Sequence, residues 1–105
     1  MSVDAIRLIS TKRIFADGLI VQTVVWRLPV PLPPSRHRYK YRLCCGRGGE
    51  RIVGCDNERG KGDRTHIRGV EADYRFVSLE QLLADFIALI KRETGRSPWA
   101  NCGST

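Results

Sequence analysis

The 105-residue sequence has no apolar run near the ~20 residues that a membrane-spanning helix requires, so no span is expected. It also lacks an apolar N-terminal core ahead of a cleavage site, which leads to the expectation of a cytoplasmic protein with no membrane partner. The four cysteines, Cys44, Cys45, Cys55 and Cys102, include no Cys-x-x-Cys pair, the usual signature of structural zinc. They read instead as buried or half-buried free thiols, with adjacent Cys44 and Cys45 on opposite faces if they share a strand. Histidine is scarce, at two residues, His37 and His66. No Gly-Lys-Ser or Gly-Lys-Thr stands at P-loop spacing, no segment repeats, and no pattern demands a cofactor, so none is expected.

Acid is the other shortage. Eleven Asp and Glu face 18 Lys and Arg, giving a net charge of +7 and a pI near 9.8. Fourteen of the 18 are arginine, whose planar fork of donors matches phosphate oxygens. This balance suggests nucleic acid or an acidic protein as partner; an inert basic surface is the plainer alternative. Otherwise the composition is ordinary, 42% hydrophobic and 28% charged, and the length suits one core. One domain over residues 1–95 with a flexible tail over 96–105 is expected.

Residues 5–16 are rich in isoleucine and alternate imperfectly up to Asp17-Gly18, a tight-hairpin dipeptide. Leu19 to Leu28 carries β-branched and aromatic residues on both faces, which predicts a central strand covered on two sides. Pro29 to Ser35 must be an extended connection, because proline donates no hydrogen bond. A third strand is predicted over Arg36 to Cys45, a glycine turn at Gly46 to Gly49, and a fourth strand over Arg51 to Asp56. The polar stretch Asn57 to Asp73 reads as a long loop with room for a short strand near His66 to Gly69. Such loops in small domains are usually functional.

Tyr74 to Val77 is extended, and Ser78-Leu79-Glu80-Gln81 then predicts a capping box, with Val77 and Leu82 set for a hydrophobic staple. Leu79, Leu82, Leu83, Phe86, Ile87 and Ile90 follow helical spacing; Lys91 and Arg92 suit the negative end of the dipole, and Gly95 ends the helix. The tail from Arg96 is expected to be loose, with Trp99 as a candidate anchor. The fold class is therefore α+β: an antiparallel sheet of about four to five strands with one C-terminal helix packed on one face. The second face is left for a partner.

Two segments carry candidate chemistry. A period of two over Arg36 to Leu43 puts Arg36, Arg38, Lys40 and Arg42 on one face, ~7 Å apart, as a row of cations suited to phosphates. His37, Tyr39, Tyr41 and Leu43 take the other face. Cations that only protect a sheet edge are the structural alternative. The second segment, Cys55 to Gly69, leaves the partner of that strand and brings Asp56, Asp63, Arg64 and His66, with Lys61 and Arg68 as further cations. Its spacing does not demand a metal and none is expected, although Asp56, Asp63 and Glu71 offer an oxygen-rich set for a metal-assisted route.

From about Asp17 to Ile90 the chain resembles the TumE family of toxin–antitoxin systems. The residues that carry the resemblance are Asp17-Gly18 ahead of Trp26-Arg27, Lys40-Tyr41-Arg42-Leu43, Asp56-Asn57, Gly60-Lys61-Gly62-Asp63, His66-Ile67, Glu71, Tyr74-Arg75-Phe76 and Ser78-Leu79. The resemblance implies a small toxin that acts on RNA and is neutralised by a cognate antitoxin. Cys55 stands where the family often has tyrosine. Arg64-Thr65-His66 stands where it often has His-x-His, which leaves one imidazole in place of two.

Two readings follow. As an endoribonuclease, the chain would use His66 for proton transfer, since its ordinary pKa lies near neutrality. Asp63 or Asp56 would orient it or serve as base, and Arg64, Arg42 and Lys40 would stabilise the phosphorane. Arg36, Arg38, Lys61 and Arg68 would hold RNA, and Tyr41 or Tyr74 would stack a base. As a non-catalytic module, the basic sheet would occupy RNA or a ribosomal site by charge, with His66 as a structural hydrogen-bond partner. A nucleotidyl-transfer toxin is less well supported, because no glycine-serine motif with paired aspartates is present.

Overall fold

The computed structural model describes residues 4–98. Its elements are β1 (Ile6–Ile14), β2 (Ile20–Arg27), β3 (Tyr39–Arg47), β4 (Glu50–Glu58), β5 (Gly62–Ile67), β6 (Val70–Asp73) and α1 (Leu79–Thr94). Each strand pairs antiparallel with the next, giving one six-stranded meander in chain order. The α+β class and the single C-terminal helix stand as expected, while the strand count exceeds four to five.

The extra strands come from Asn57 to Asp73, which is a hairpin and not a long loop. β5 pairs with β4 on one side and β6 on the other. The turn is Arg68-Gly69, with φ of 47° and 87°. Two positive φ values are what a two-residue hairpin turn needs, and Asn-Gly usually supplies them. Here Arg68 is held in that conformation by the helix end: its Nε donates to Glu93 Oε1 at 2.7 Å and its Nη2 to the Glu93 carbonyl at 2.9 Å. Arg68 thus fastens the hairpin to α1.

One irregularity is explained and two other expectations change. β1 carries a register shift between Arg7 and Ile9, the physical reason for its imperfect alternation. β2 is covered on one face only: Val21, Thr23 and Val25 are buried, while Gln22, Val24 and Trp26 line an open groove. β3 begins at Tyr39, so Arg36 and Arg38 lie exposed in the preceding connection and the four-cation row is reduced to Lys40 and Arg42.

The core lies between the other sheet face and the helix. Val21, Val25, Tyr41, Leu43, Cys45, Val53 and Cys55 meet Leu82, Phe86 and Ile90. Burying a side chain of this size contributes about 1.5–3 kcal/mol, so Phe86→Ala would remove ~3–5 kcal/mol once the cavity is included. Ser78 caps α1 by accepting from the Gln81 amide at 3.0 Å. Gln81 does not reach back to complete the box; its side chain donates to Asp85 at 2.8 Å. Val77 stays exposed and does not form the expected staple. Gly95 ends the helix at φ 76°, its amide donating to the Lys91 carbonyl at 2.8 Å.

After the helix, Arg96 donates to Asp17 at 2.7 Å and lies over the Phe15 ring. Trp99 and Cys102 fall outside the described residues. Among those residues, no helix is long and apolar enough to cross a membrane.

Candidate functional site

Strand alternation and register bring a specific set of side chains onto the helix-free face of the sheet. Val24, Arg42, Asp56 and Arg64 are successive cross-strand partners over β2 to β5, and the next row is Gln22, Cys44, Gly54 and His66, continuing to Glu71 on β6. Trp26 and Lys40 pair one row further on the other side. All of these but Gly54, with Arg51, Glu58, Lys61 and Tyr41, line a groove of about 830 Å³.

At its centre His66 Nε2 lies 3.3 Å from Asp56 Oδ1, with the two side chains 15% and 23% exposed. A carboxylate only accepts, so Nε2 is the donor in this contact, and in the neutral ring that leaves the lone pair on Nδ1. No hydrogen bond from a described residue reaches that Nδ1. Cations ring the pair. Arg64 is drawn toward β6 by Glu71 at 3.6 Å and Asp73 at 3.5 Å, and its buried Nε has no hydrogen-bond partner among the described residues. Lys40 donates to the Asn57 carbonyl. Among the described residues, Lys40, Arg42 and Arg51 form no ion pair, so their charge is unspent. Lys61 sits at the rim, paired loosely with Glu58 at 3.6 Å.

Arg51 is a groove residue that the sequence did not reveal. A bulge between Cys45 and Gly46 shifts the β3–β4 register and breaks the count by two. Gly54, the cross-strand neighbour of His66, is the clue. A Cβ built there would stand 3.0–3.3 Å from Arg51 Cδ, Nε and Nη1, so the missing side chain is the space in which the arginine lies flat. Trp26 was also missed as a groove residue, because its place beside Lys40 depends on how the Pro-rich connection folds back.

The opposite face holds residues that the sequence reading had grouped with His66. Asp63 is one of them: an odd step along β5 from His66 turns it to the helix side. There it accepts from Ser35 Oγ, from Tyr41 Oη at 2.6 Å and from His37 Nε2 at 2.7 Å. Asp56, Asp63 and Glu71 therefore do not assemble, and no group of three metal-ligating side chains converges among the described residues. Tyr41 is 1% exposed and its phenol is pushed up by burial and then by Asp63. Tyr74 bonds Asp85 at 2.6 Å on the helix side. Tyr41 borders the groove, but its ring is buried with the hydroxyl on Asp63, and Tyr74 faces the helix, so neither ring is open to stack a base there. Arg36, Arg38 and Arg68 also lie away from it.

Asp56-Asn57 divides between the faces in the same way. Asn57 is fully buried and acts as a surrogate strand partner for β3. Its Oδ1 accepts from the Tyr41 amide at 3.0 Å and its Nδ2 donates to the Tyr39 carbonyl at 2.7 Å. The thiols are as expected on the described residues: Cys44 half-buried, Cys45 and Cys55 buried and free. Burial, with Asp56 adding charge, pushes the Cys55 thiol up to about 12, and burial pushes Cys45 up to about 11. Neither is a nucleophile near neutrality.

Residues 4–94 match the family model described as Toxin TumE, so the chain belongs to the TumE toxin family. No curated protein and no solved structure matches the chain.

Proposed function

We propose that this chain, the toxin of a toxin–antitoxin system by its family and so implying a cognate antitoxin, is a cytoplasmic endoribonuclease centred on His66 and Asp56, which the antitoxin neutralises. The observation that carries the reading is an imidazole with a free ring nitrogen, oriented by a carboxylate, in a groove whose Lys40, Arg42 and Arg51 are not neutralised by acids among the described residues. In the proposed step His66 Nδ1 takes the 2′-hydroxyl proton as that oxygen attacks the adjacent phosphorus. The bond from phosphorus to the 5′-oxygen breaks, leaving a 2′,3′-cyclic phosphate, and the departing 5′-oxygen takes a proton from water in the open groove. Asp56 stabilises the imidazolium, and Arg51 and Arg42 meet the charge on the phosphorane.

A non-catalytic reading is favoured by one observation: Arg64, with its two carboxylate partners, stands where a second histidine is common. Purified protein incubated with a mixed RNA pool, with and without EDTA, separates the two. We expect cleavage that survives EDTA and is lost in a folded His66→Ala variant. Salt-sensitive RNA binding by both proteins with no cleavage by either would leave the binding module as the better reading.

A further inference from the structure

We infer that the groove takes a single-stranded stretch of RNA and that Trp26 is its base-stacking platform, a specificity-determining residue a few nucleotides from the bond that His66 acts on. This rests on the ribonuclease reading above.

Trp26 is half-buried on the groove face of β2, so its ring has a fixed seat in the sheet and still meets solvent. The chain's other central aromatic rings are spent elsewhere. Tyr41 is buried with its hydroxyl on Asp63, and Phe76 stacks on His37 at 3.7 Å. Trp26 is flanked in register by Arg7 on β1 and Lys40 on β3, and the Arg7 guanidinium lies over the indole ring, 5.8 Å from its centroid. An indole with Arg7 over its ring and Lys40 beside it in register is a seat for a base between two phosphates: the base takes the indole face in place of the arginine, whose guanidinium then meets the backbone with Lys40.

Register supplies the distance. His66 is aligned with Gln22 across three strand spacings, and Trp26 is four residues beyond Gln22. In an ideal sheet this is ~14 Å across and ~13 Å along, a diagonal of roughly 19 Å. That is room for a few nucleotides of extended strand. Arg42 lies close to the diagonal, and Arg51, over Gly54, lies at its far end. A base can stack on the indole only if its own face is free, which a duplex does not allow. The alternative role for Trp26 is as an apolar cover for the sheet, which would make it matter to stability and not to RNA.

The test uses the full chain carrying Trp99→Phe, so that Trp26 is the sole tryptophan, titrated with a short 2′-O-methyl oligonucleotide or with the same oligonucleotide in a duplex. We expect indole fluorescence to be quenched by the single strand and much less by the duplex. Trp26→Ala should weaken single-strand binding by roughly 5- to 100-fold, Trp26→Phe should restore most of it, and the cleavage sites chosen in an RNA pool should change. Should Trp26→Ala not fold, the quenching titration and Trp26→Phe carry the test. Binding without quenching, equal quenching by duplex, or unchanged binding and site choice in Trp26→Ala would overturn the inference while leaving a ribonuclease in place. Quenching by single strand with no cleavage by the parent chain would remove the ribonuclease reading and leave Trp26 a binding residue, and no binding at all would remove both.

Discussion

Both histidines of this chain rest against an aspartate, and the two pairs are built for different ends. His37 donates from Nε2 to Asp63 at 2.7 Å, accepts the Tyr39 amide on Nδ1 at 3.1 Å, and stacks on Phe76 at 3.7 Å. Asp63 is 8% exposed and accepts from Ser35 and Tyr41 as well. No polar position in that cluster is spare. Among the described residues His66 has one hydrogen-bond contact, to Asp56 at 3.3 Å, on the open face beside Lys40, Arg42 and Arg51, which form no ion pair there. A group that performs chemistry needs a free lone pair and access; a group that fastens a fold needs neither. The His37 cluster ties the Pro-rich connection to β5, and the His66 pair is the one to which the proposed function assigns the chemistry.

The contrast is tested most severely at the histidines themselves. His66→Ala should reduce RNA cleavage by ~10²–10⁴-fold, the usual worth of a proton-transfer group, with little change in melting temperature. His37→Ala should lower the melting temperature and leave the folded fraction active. Both outcomes are read from initial rates beside a circular dichroism melt.

The second effect is on stability. Asp63→Ala strands three donors, so a loss of about 3 kcal/mol or more is expected in urea unfolding, with cleavage by the folded fraction retained. Asp56→Asn sharpens the comparison from the other side. It keeps a hydrogen-bond acceptor for His66 but removes the charge that stabilises imidazolium, so initial cleavage rates should fall on the order of tenfold with the melting temperature little changed.

The smallest effect concerns the Arg68 turn. Hydrogen bonds from Arg68 and then Arg92 hold the Glu93 carboxyl below its usual value of 4.5. A lowered folded-state value means that the contribution is complete above that usual value and is lost as pH falls beneath it. Glu93→Gln should therefore flatten the acid side of melting temperature against pH, and only slightly, since the pair is at the surface.

Much of this fold could be read from the residues. The Ser78 cap, the helical face through Leu82, Phe86 and Ile90, and the opposed faces of Cys44 and Cys45 all follow from local periodicity. The β5–β6 hairpin did not, because its turn is Arg-Gly and its strands are charged. The tertiary bonds from Arg68 to Glu93 hold the arginine in that turn, and local sequence does not announce them. The site was half legible for the same reason. Asp56 and His66 were candidates, but without knowing that Gly62–Ile67 is a strand nothing separated Asp63 from them. Once β5 is recognised, counting by two puts Asp63 and His66 on opposite faces although they are three residues apart. Arg51 was hidden by a bulge, which no period predicts.

The central claim is that RNA meets His66 and not His37. Histidine-ring NMR of the full chain, titrated with a 2′-deoxy oligonucleotide that cannot be cleaved, observes both imidazoles at once. The account predicts that the His66 ring signals shift with added oligonucleotide while those of His37 stay in place. A shift at His37 with His66 unmoved, or binding that moves neither ring, would contradict it.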